Sequence, residues 1–175
     1  MSGSRRVRLA DAVQVPIGGI AVGRSGQVLG ALLGSCVGLV VQDLQRQVAV
    51  LAHVVRPSGV GDGMGPGYFA DRAVPRARDL AVQAGADPRA LIVRVVGGGS
   101  MVGNGLAIGA RNLAAIKAAT PAAGMAFGGQ VGGATDGGCV VVVDPAKGRI
   151  AVQRLGHGAL DAAAWERILK EITPA

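Results

Sequence analysis

The chain has 175 residues, a length that fits a single domain with a sizeable core. Half of the residues are apolar and 17% are charged, which excludes an intrinsically disordered protein. The formal net charge is +7, but the arginines are scattered and aromatic side chains make up only 2% of the chain. Nucleic-acid binding favours clustered basic residues and aromatic stacking platforms, so we expect an acidic protein partner and no nucleic acid.

No secretory or membrane-spanning segment is predicted. Asp11 interrupts the apolar run behind the basic N-terminal residues. Residues 29–41, the longest apolar stretch, are too short and too rich in glycine to cross a bilayer. We therefore expect a cytoplasmic protein without membrane insertion, in which both cysteines are reduced thiols. Residues 1–12 are predicted to be a basic flexible tail, and residues 13–175 a single domain.

Apolar runs and turn residues divide the first half of the chain. Residues 13–22 suggest a first strand. Residues 36–43 and 48–55 are apolar, β-branched runs joined by LQRQ, which predicts an antiparallel hairpin. Residues 56–67 form a predicted loop, because five glycines and two prolines leave no periodic pattern.

The second half of the chain alternates between helical and extended patterns. Pro75 is placed in the first turn of a helix over residues 75–84, and Gly85 follows its end. The remaining predicted elements are a strand over residues 91–96, a helix over 112–119, a hairpin whose turn is 145–148, and a helix over 161–172. Since these elements do not repeat as βαβ units, we predict an α/β fold, a layered α/β sandwich with mixed or antiparallel sheets.

Cys36 is a candidate nucleophile. It lies in LLGSCVGLVV, where small residues precede the thiol at the start of an apolar strand. Small neighbours let a carbonyl carbon approach, and backbone N–H groups around Gly34, Ser35 and Cys36 can hold an oxyanion. The alternative is a buried structural cysteine, which is the common fate of a cysteine on a strand.

His53 is a candidate general base for that thiol. It follows Cys36 by seventeen residues, on the other arm of the predicted hairpin. A Cys–His pair within hydrogen-bond range lowers the thiol pKa and supplies a base that later acts as an acid. The alternative is a core histidine, but a cysteine across the hairpin favours catalysis. We interpret His157, between two glycines, as a loop residue, and Cys139, before a valine run, as core.

Cofactor and metal sites are not predicted. The segment GGGSMVGNG lacks the dinucleotide spacing and the acidic residue that should follow it, and no P-loop lysine motif exists. Two cysteines and two histidines spread over the chain do not have zinc-ligand spacing. We therefore expect no cofactor and no metal.

Five motifs follow one another in the chain: LLGSCVGLVVQD, AHVVRP, VGGGSM, IGARN and GGQVGG. Their order and spacing resemble those of the CheD family of chemoreceptor glutamine deamidases, over residues 13–156. The resemblance implies a sandwich of cysteine-hydrolase type, similar to the catalytic domain of cytotoxic necrotizing factor toxins. It also implies that Cys36 and His53 deamidate glutamine in the cytoplasmic helices of chemoreceptors, through a thioester. A CheC-type phosphatase is the implied regulatory partner.

Two positions depart from the family pattern. The family usually has a threonine, as a third catalytic member, where this chain has Gly30 and Ala31. Because a third member fixes the histidine tautomer, we expect a backbone carbonyl of Gly30 or Ala31 to orient His53. The arginine that usually follows the glycine pair is absent from GGATDGG, residues 132–138. The alternative interpretation is therefore a catalytically weakened binding module that regulates chemotaxis partners.

Overall fold

The structure, a computed structural model, describes residues 12–99, 106–132 and 138–154. These residues form nine strands and two helices. In chain order they are β1 (Val13–Gln14), β2 (Ile20–Gly23), β3 (Leu29–Leu33), β4 (Val37–Asp43), β5 (Val48–Val54), α1 (Ala70–Gln83), β6 (Ile92–Gly97), α2 (Leu106–Ala122), β7 (Ala126–Val131), β8 (Cys139–Asp144) and β9 (Arg149–Arg154).

The strands form two sheets, one in the order β1-β3-β8-β9 and one in the order β2-β5-β4-β6-β7. The β1–β3 and β6–β7 pairs are parallel, and the other pairs are antiparallel. Leu39 and Val50 of the five-stranded sheet pack with both helices, whereas Val40 and Leu51 pack against the four-stranded sheet. The fold is thus a layered α/β sandwich with mixed sheets, as predicted.

Both predicted hairpins are confirmed. β4 pairs antiparallel with β5, with Gly38 opposite His53, and β8 pairs antiparallel with β9. Asp43 and Asp144 end β4 and β8, and each carboxylate accepts backbone N–H groups of the turn that follows. Gly148 ends the second turn with a φ of +60°, a left-handed conformation that glycine adopts without strain.

The prediction of one strand over residues 13–22 is wrong, because this stretch forms two strands in different sheets. β1 pairs with β3, and β2 pairs with β5. The turn between them is closed by a hydrogen bond from the Gly19 N–H to the Pro16 carbonyl at 2.8 Å, and Gly18 has a φ of +72°. These three residues interrupt the apolar run, so the chain crosses between the sheets there.

Helix α1 begins at Ala70, five residues before its predicted start. Phe69 precedes it with extended backbone and no side-chain cap. The Ala70 N–H donates instead to the Arg56 carbonyl at 2.9 Å, so the preceding loop satisfies the start of the helix. Pro75 is therefore inside the helix, on its exposed side. The predicted end is confirmed, since Gly85 follows the helix with a φ of +102°.

Helix α2 extends beyond the predicted residues 112–119 at both ends. Gly109 and Pro121 lie inside it and weaken the helical pattern that sequence analysis relies on. Strands β3 and β7 were not predicted. β3 is hidden in the long apolar stretch over residues 29–41, and β7 contains two glycines that dilute its extended pattern.

Some predictions concern residues outside the described ranges. The first is the tail over residues 1–12, of which only residue 12 is described. The others are the loop prediction for His157 and the helix over residues 161–172. Within the described ranges, neither helix combines the length and the hydropathy needed to cross a membrane.

Candidate active site

Cys36 lies at a corner, residues 34–36, where the chain passes from one sheet to the other. β3 belongs to the four-stranded sheet and β4 to the five-stranded sheet. Gly34, Ser35 and Cys36 form the bend between these strands, and all three are partly exposed. The Cys36 carbonyl accepts a hydrogen bond from the Gly98 N–H at 3.1 Å, which fixes the corner to the loop after β6. The thiol is thus held at the rim of the sandwich.

His53 lies on β5, the strand that pairs with β4. Gly38 is directly opposite His53, and Cys36 lies in the bend two residues before Gly38, one residue outside β4. Gly38 has no side chain to stand between them. Both residues therefore lie at the same end of the β4–β5 hairpin.

The imidazole of His53 is buried without a hydrogen bond. His53 is 2% exposed, and by alternation from Leu51 it faces the four-stranded sheet. Its backbone N–H donates to the Gly19 carbonyl and its carbonyl accepts from the Gly18 N–H. Among the described residues, neither ring nitrogen has a partner. A buried polar group without a partner costs about 1–3 kcal/mol of stability.

Burial sets the protonation state of both groups. It lowers the pKa of His53, and the nearby Val15 carbonyl opposes this with a smaller effect. It also raises the pKa of the Cys36 thiol, which differs from the predicted lowering because no hydrogen bond joins the thiol to His53. At neutral pH the resting pair is therefore a neutral imidazole and a neutral thiol. A neutral imidazole is the form that can accept a proton.

The backbone carbonyl that affects the pKa of His53 is that of Val15, not of Gly30 or Ala31. The Val15 N–H, directly after β1, donates to the Gly30 carbonyl at 2.7 Å, so Gly30 holds Val15 in place. The Val15 carbonyl does not reach hydrogen-bond geometry with the ring, since neither nitrogen of His53 is paired within the described ranges. Sequence analysis missed Val15 because it has no polar side chain and is brought to the site by strand pairing.

The backbone at the corner suits an oxyanion. Within the described part of the chain, the Cys36 N–H donates no hydrogen bond. Gly97 and Gly98 have φ values of +82° and +79°, and a Cβ on Gly97 would lie 3.0 Å from the Cys36 carbonyl oxygen. Glycines therefore allow the loop after β6 to approach this closely. A substrate oxygen beside the thiol can accept from the Cys36 N–H.

Helix α2 contacts the backbone near both members of the pair. Asn112 Nδ2 donates to the Val55 carbonyl at 3.0 Å, and Gly109 packs against the backbone of Gly98. Sequence analysis used this IGARN segment only for a family resemblance and missed the role of Asn112. The available signal was its spacing of three residues from Gly109, which puts both on one face of a helix.

Two further sequence predictions concern the second cysteine and a metal site. Cys139 is fully buried in the core cluster between the sheets, as predicted. Neither cysteine forms a disulfide. No three or more His, Cys, Asp or Glu side chains of the described residues lie together as a metal site requires.

The fold defines a class, layered α/β sandwich proteins with two sheets of mixed strand direction. The model of the CheD family, described as CheD chemotactic sensory transduction, matches residues 57–154. The chain belongs to the CheD family. The matched region begins four residues after His53, so it covers α2 but neither His53 nor Cys36.

Relatives in archaea and bacteria extend this match. A protein of Methanococcus vannielii is 32% identical over 134 residues, which cover 74% of this chain and 87% of that protein. One of Natronomonas pharaonis is 31% identical over 151 residues, 83% of this chain and 89% of that protein. Both are named probable chemoreceptor glutamine deamidase CheD. The chemoreceptor glutamine deamidase CheD of Thermotoga maritima is 37% identical over 105 residues, 59% of this chain and 67% of that protein.

Proposed function

We propose that this protein is a chemoreceptor glutamine deamidase that uses Cys36 as its nucleophile and His53 as its general base. The observation that carries the proposal is the geometry of the β4–β5 hairpin. The register pairs His53 with Gly38, two residues after the partly exposed Cys36, and both ring nitrogens of the buried His53 are unpaired among the described residues. The names of the relatives support glutamine in a chemoreceptor as the substrate.

The reaction begins with the neutral pair. His53 takes the proton of the Cys36 thiol while Sγ attacks the carboxamide carbon of a substrate glutamine, and the carbonyl oxygen becomes an oxyanion. The Cys36 N–H and a neighbouring N–H of the corner stabilise this oxyanion. His53 then returns the proton to the leaving nitrogen, so ammonia departs and a thioester remains.

Hydrolysis of the thioester completes the cycle. His53 removes a proton from water as the water oxygen attacks the thioester carbon, and the C–S bond then breaks. The sulfur recovers a proton, and the substrate side chain leaves as glutamate. The low pKa of buried His53 keeps the imidazole neutral for both proton abstractions at neutral pH. These steps need no cofactor or metal.

The imidazole must turn toward Cys36 for the first step. No hydrogen bond between described residues opposes this movement, because both ring nitrogens are unpaired. The Val15 carbonyl favours a proton on the ring and can stabilise the imidazolium that forms when the thiol is deprotonated. A neutral carbonyl orients a histidine less strongly than a carboxylate does, which suits slow modification of a protein substrate.

The proposed substrate region is the cytoplasmic helical part of a chemoreceptor, so the enzyme acts in the cytoplasm. The net charge of +7 favours encounter with an acidic helical bundle. By family resemblance, we propose a CheC-type phosphatase as the regulatory partner.

Mass spectrometry of a chemoreceptor cytoplasmic fragment tests the proposal. The wild-type protein should convert particular glutamines to glutamates, whereas Cys36→Ala should convert none above the rate without enzyme. Cys139→Ala is the matched control, because Cys139 is a fully buried thiol of the same chain. Loss of conversion in Cys139→Ala with retention in Cys36→Ala would reverse the assignment of the nucleophile.

A second candidate is a binding module without deamidase activity. The lack of a hydrogen bond on the His53 ring and the raised pKa of Cys36 favour it. This candidate predicts that wild-type protein and Cys36→Ala bind the receptor fragment equally and that neither changes its mass. Any Cys36-dependent deamidation excludes it.

A further inference from the structure

We propose that Gly109 and Asn112 of α2 form a clamp that sets the position of Cys36 relative to His53, with Asn112 as a positioning residue. The proposal rests on the deamidase function proposed for that pair. It assigns a catalytic consequence to a helix that contributes no side chain to the reaction itself.

The first arm of the clamp is Gly109, which holds the Cys36 side. A Cβ at this position would overlap the carbonyl group of Gly98, so the helix backbone lies directly against this loop residue. The Gly98 N–H in turn donates to the Cys36 carbonyl at 3.1 Å. A single pair of backbone contacts therefore connects α2 to the nucleophile.

The second arm is Asn112, which holds the His53 side. Its Nδ2 donates to the carbonyl of Val55, two residues beyond His53, at 3.0 Å. Val55 follows the last residue of β5, so this hydrogen bond holds the chain one residue beyond the β4–β5 pairing. Gly109 and Asn112 are three residues apart on one helix, and the two arms therefore move as one rigid unit.

The hydrogen bonding of Asn112 is incomplete, which argues against a role in stability alone. Asn112 is 0% exposed, and its Oδ1 has no partner among the described residues. An apolar side chain of similar size would avoid this unsatisfied oxygen. The amide is explained if its N–H is needed at the Val55 carbonyl, to keep the end of β5 in place.

The expected effect of releasing this arm is on turnover. A misplacement of about 1 Å in a catalytic geometry can cost on the order of 100-fold in rate. Since Asn112 holds the backbone near His53 and not the substrate, kcat should fall while KM stays unchanged.

The test compares Asn112→Leu with Thr120→Val, alone and combined with His53→Ala. Thr120 is a matched control, because it is also fully buried on α2 but donates only to the Ile116 carbonyl of its own helix. Asn112→Leu should lower kcat for the receptor fragment by on the order of 100-fold and Thr120→Val should not. If Asn112 acts through His53, Asn112→Leu should cause no further loss in the His53→Ala background.

Three results would overturn the clamp. They are an unchanged kcat in Asn112→Leu, an equal loss in Thr120→Val, and the same fold-loss from Asn112→Leu with and without His53. Asn112→Asp is a second variant if Asn112→Leu does not fold, since an ionised carboxylate keeps the shape but has no N–H to donate. If both fail to fold while Thr120→Val folds, Asn112 serves folding and the proposal is wrong.

Alkylation of Cys36 by iodoacetamide separates this proposal from the proposed function. If the wild type does not deamidate the fragment, the proposed function fails. The clamp is then judged by the alkylation rate alone. A change in Asn112→Leu but not in Thr120→Val supports the clamp, and equal rates in all three proteins overturn it.

Discussion

At the closed end of the β4–β5 hairpin, the carboxylate of Asp43 accepts three backbone N–H groups, whereas at the open end the imidazole of His53 makes no hydrogen bond with a described residue. Both side chains are almost completely buried, at 1% and 2% exposure. Two polar residues on one hairpin thus experience similar burial with opposite hydrogen bonding. Satisfied hydrogen bonds stabilise the closed end, whereas the unpaired imidazole costs stability at the open end, where we propose the chemistry.

Both carboxylate oxygens of Asp43 accept hydrogen bonds. Asp43 Oδ1 accepts the N–H groups of Gln45 and Arg46, each at 3.1 Å, and Oδ2 accepts the Asp87 N–H at 2.8 Å. The third bond joins the hairpin to the loop between α1 and β6. The two ends should therefore respond differently to substitution, one in stability and the other in activity.

Removal of the nucleophile should have the largest effect. Cys36→Ala should abolish deamidation of a receptor fragment, because Cys139, the other cysteine, is fully buried in the core. Its midpoint of urea unfolding should stay close to that of the wild type, since Cys36 is partly exposed. Activity that persists in Cys36→Ala would show that the open end is not the site of chemistry.

Removal of the base should have the next largest effect. His53→Ala should lower kcat by at least about 100-fold, the lower range for general acid–base help. His157→Ala, at the other histidine, should change kcat little. Equal activity in the two variants, measured on the same receptor fragment, would make His53 a core residue like Asp43.

Substitution at the closed end should affect stability alone. Asp43→Ala leaves three backbone N–H groups without their acceptor and should lower the free energy of unfolding by about 3 kcal/mol. Asp144→Ala is the comparison, because Asp144 accepts only two N–H groups in the β8–β9 turn and should cost less. Urea unfolding gives both values. A lower kcat per folded molecule in Asp43→Ala would show that the closed end of the hairpin also affects activity, and would contradict this prediction.

The smallest expected effect is on the pH dependence of stability. Burial lowers the pKa of folded His53, so the unfolded chain binds this proton more readily. The contribution is fully present above the unfolded pKa of about 6.5 and is lost as the pH falls toward the lower folded value. Wild-type protein should therefore lose more stability than His53→Gln between neutral and mildly acidic pH. If the urea midpoints of the two proteins change equally with pH, the imidazole of His53 is solvated and the prediction is wrong.

The sequence predicted the hairpins well because their signals are local. Continuous β-branched runs over residues 36–43 and 48–55, with a short polar turn, specify antiparallel pairing with no information from elsewhere in the chain. The same pairing puts Gly38, two residues after Cys36, opposite His53. The candidate pair could therefore be predicted from the hairpin alone, although its catalytic role remains a prediction.

Features that depend on tertiary contacts could not be predicted in the same way. Helix α1 starts at Ala70 because the Arg56 carbonyl accepts its first N–H, and no residue type signals this bond. Gly109 is tolerated inside α2 because Gly98 lies against it, while a local reading treats such a glycine as a break. The carbonyl next to His53 comes from Val15 through the pairing of β1 with β3, a contact between distant residues.

The shortness of β1 has a consequence for the chemistry of the site. Only Val13 and Gln14 pair with β3, and the Val15 N–H adds one more bond to Gly30. A strand held by so few bonds should open more often than β5, and amide hydrogen exchange should be faster at Val15 than at Leu51. Each opening removes the Val15 carbonyl from the neighbourhood of the imidazole and admits water. The proton affinity of His53 should therefore be coupled to the local unfolding equilibrium of β1, so substitutions in β1 should change the pKa of His53.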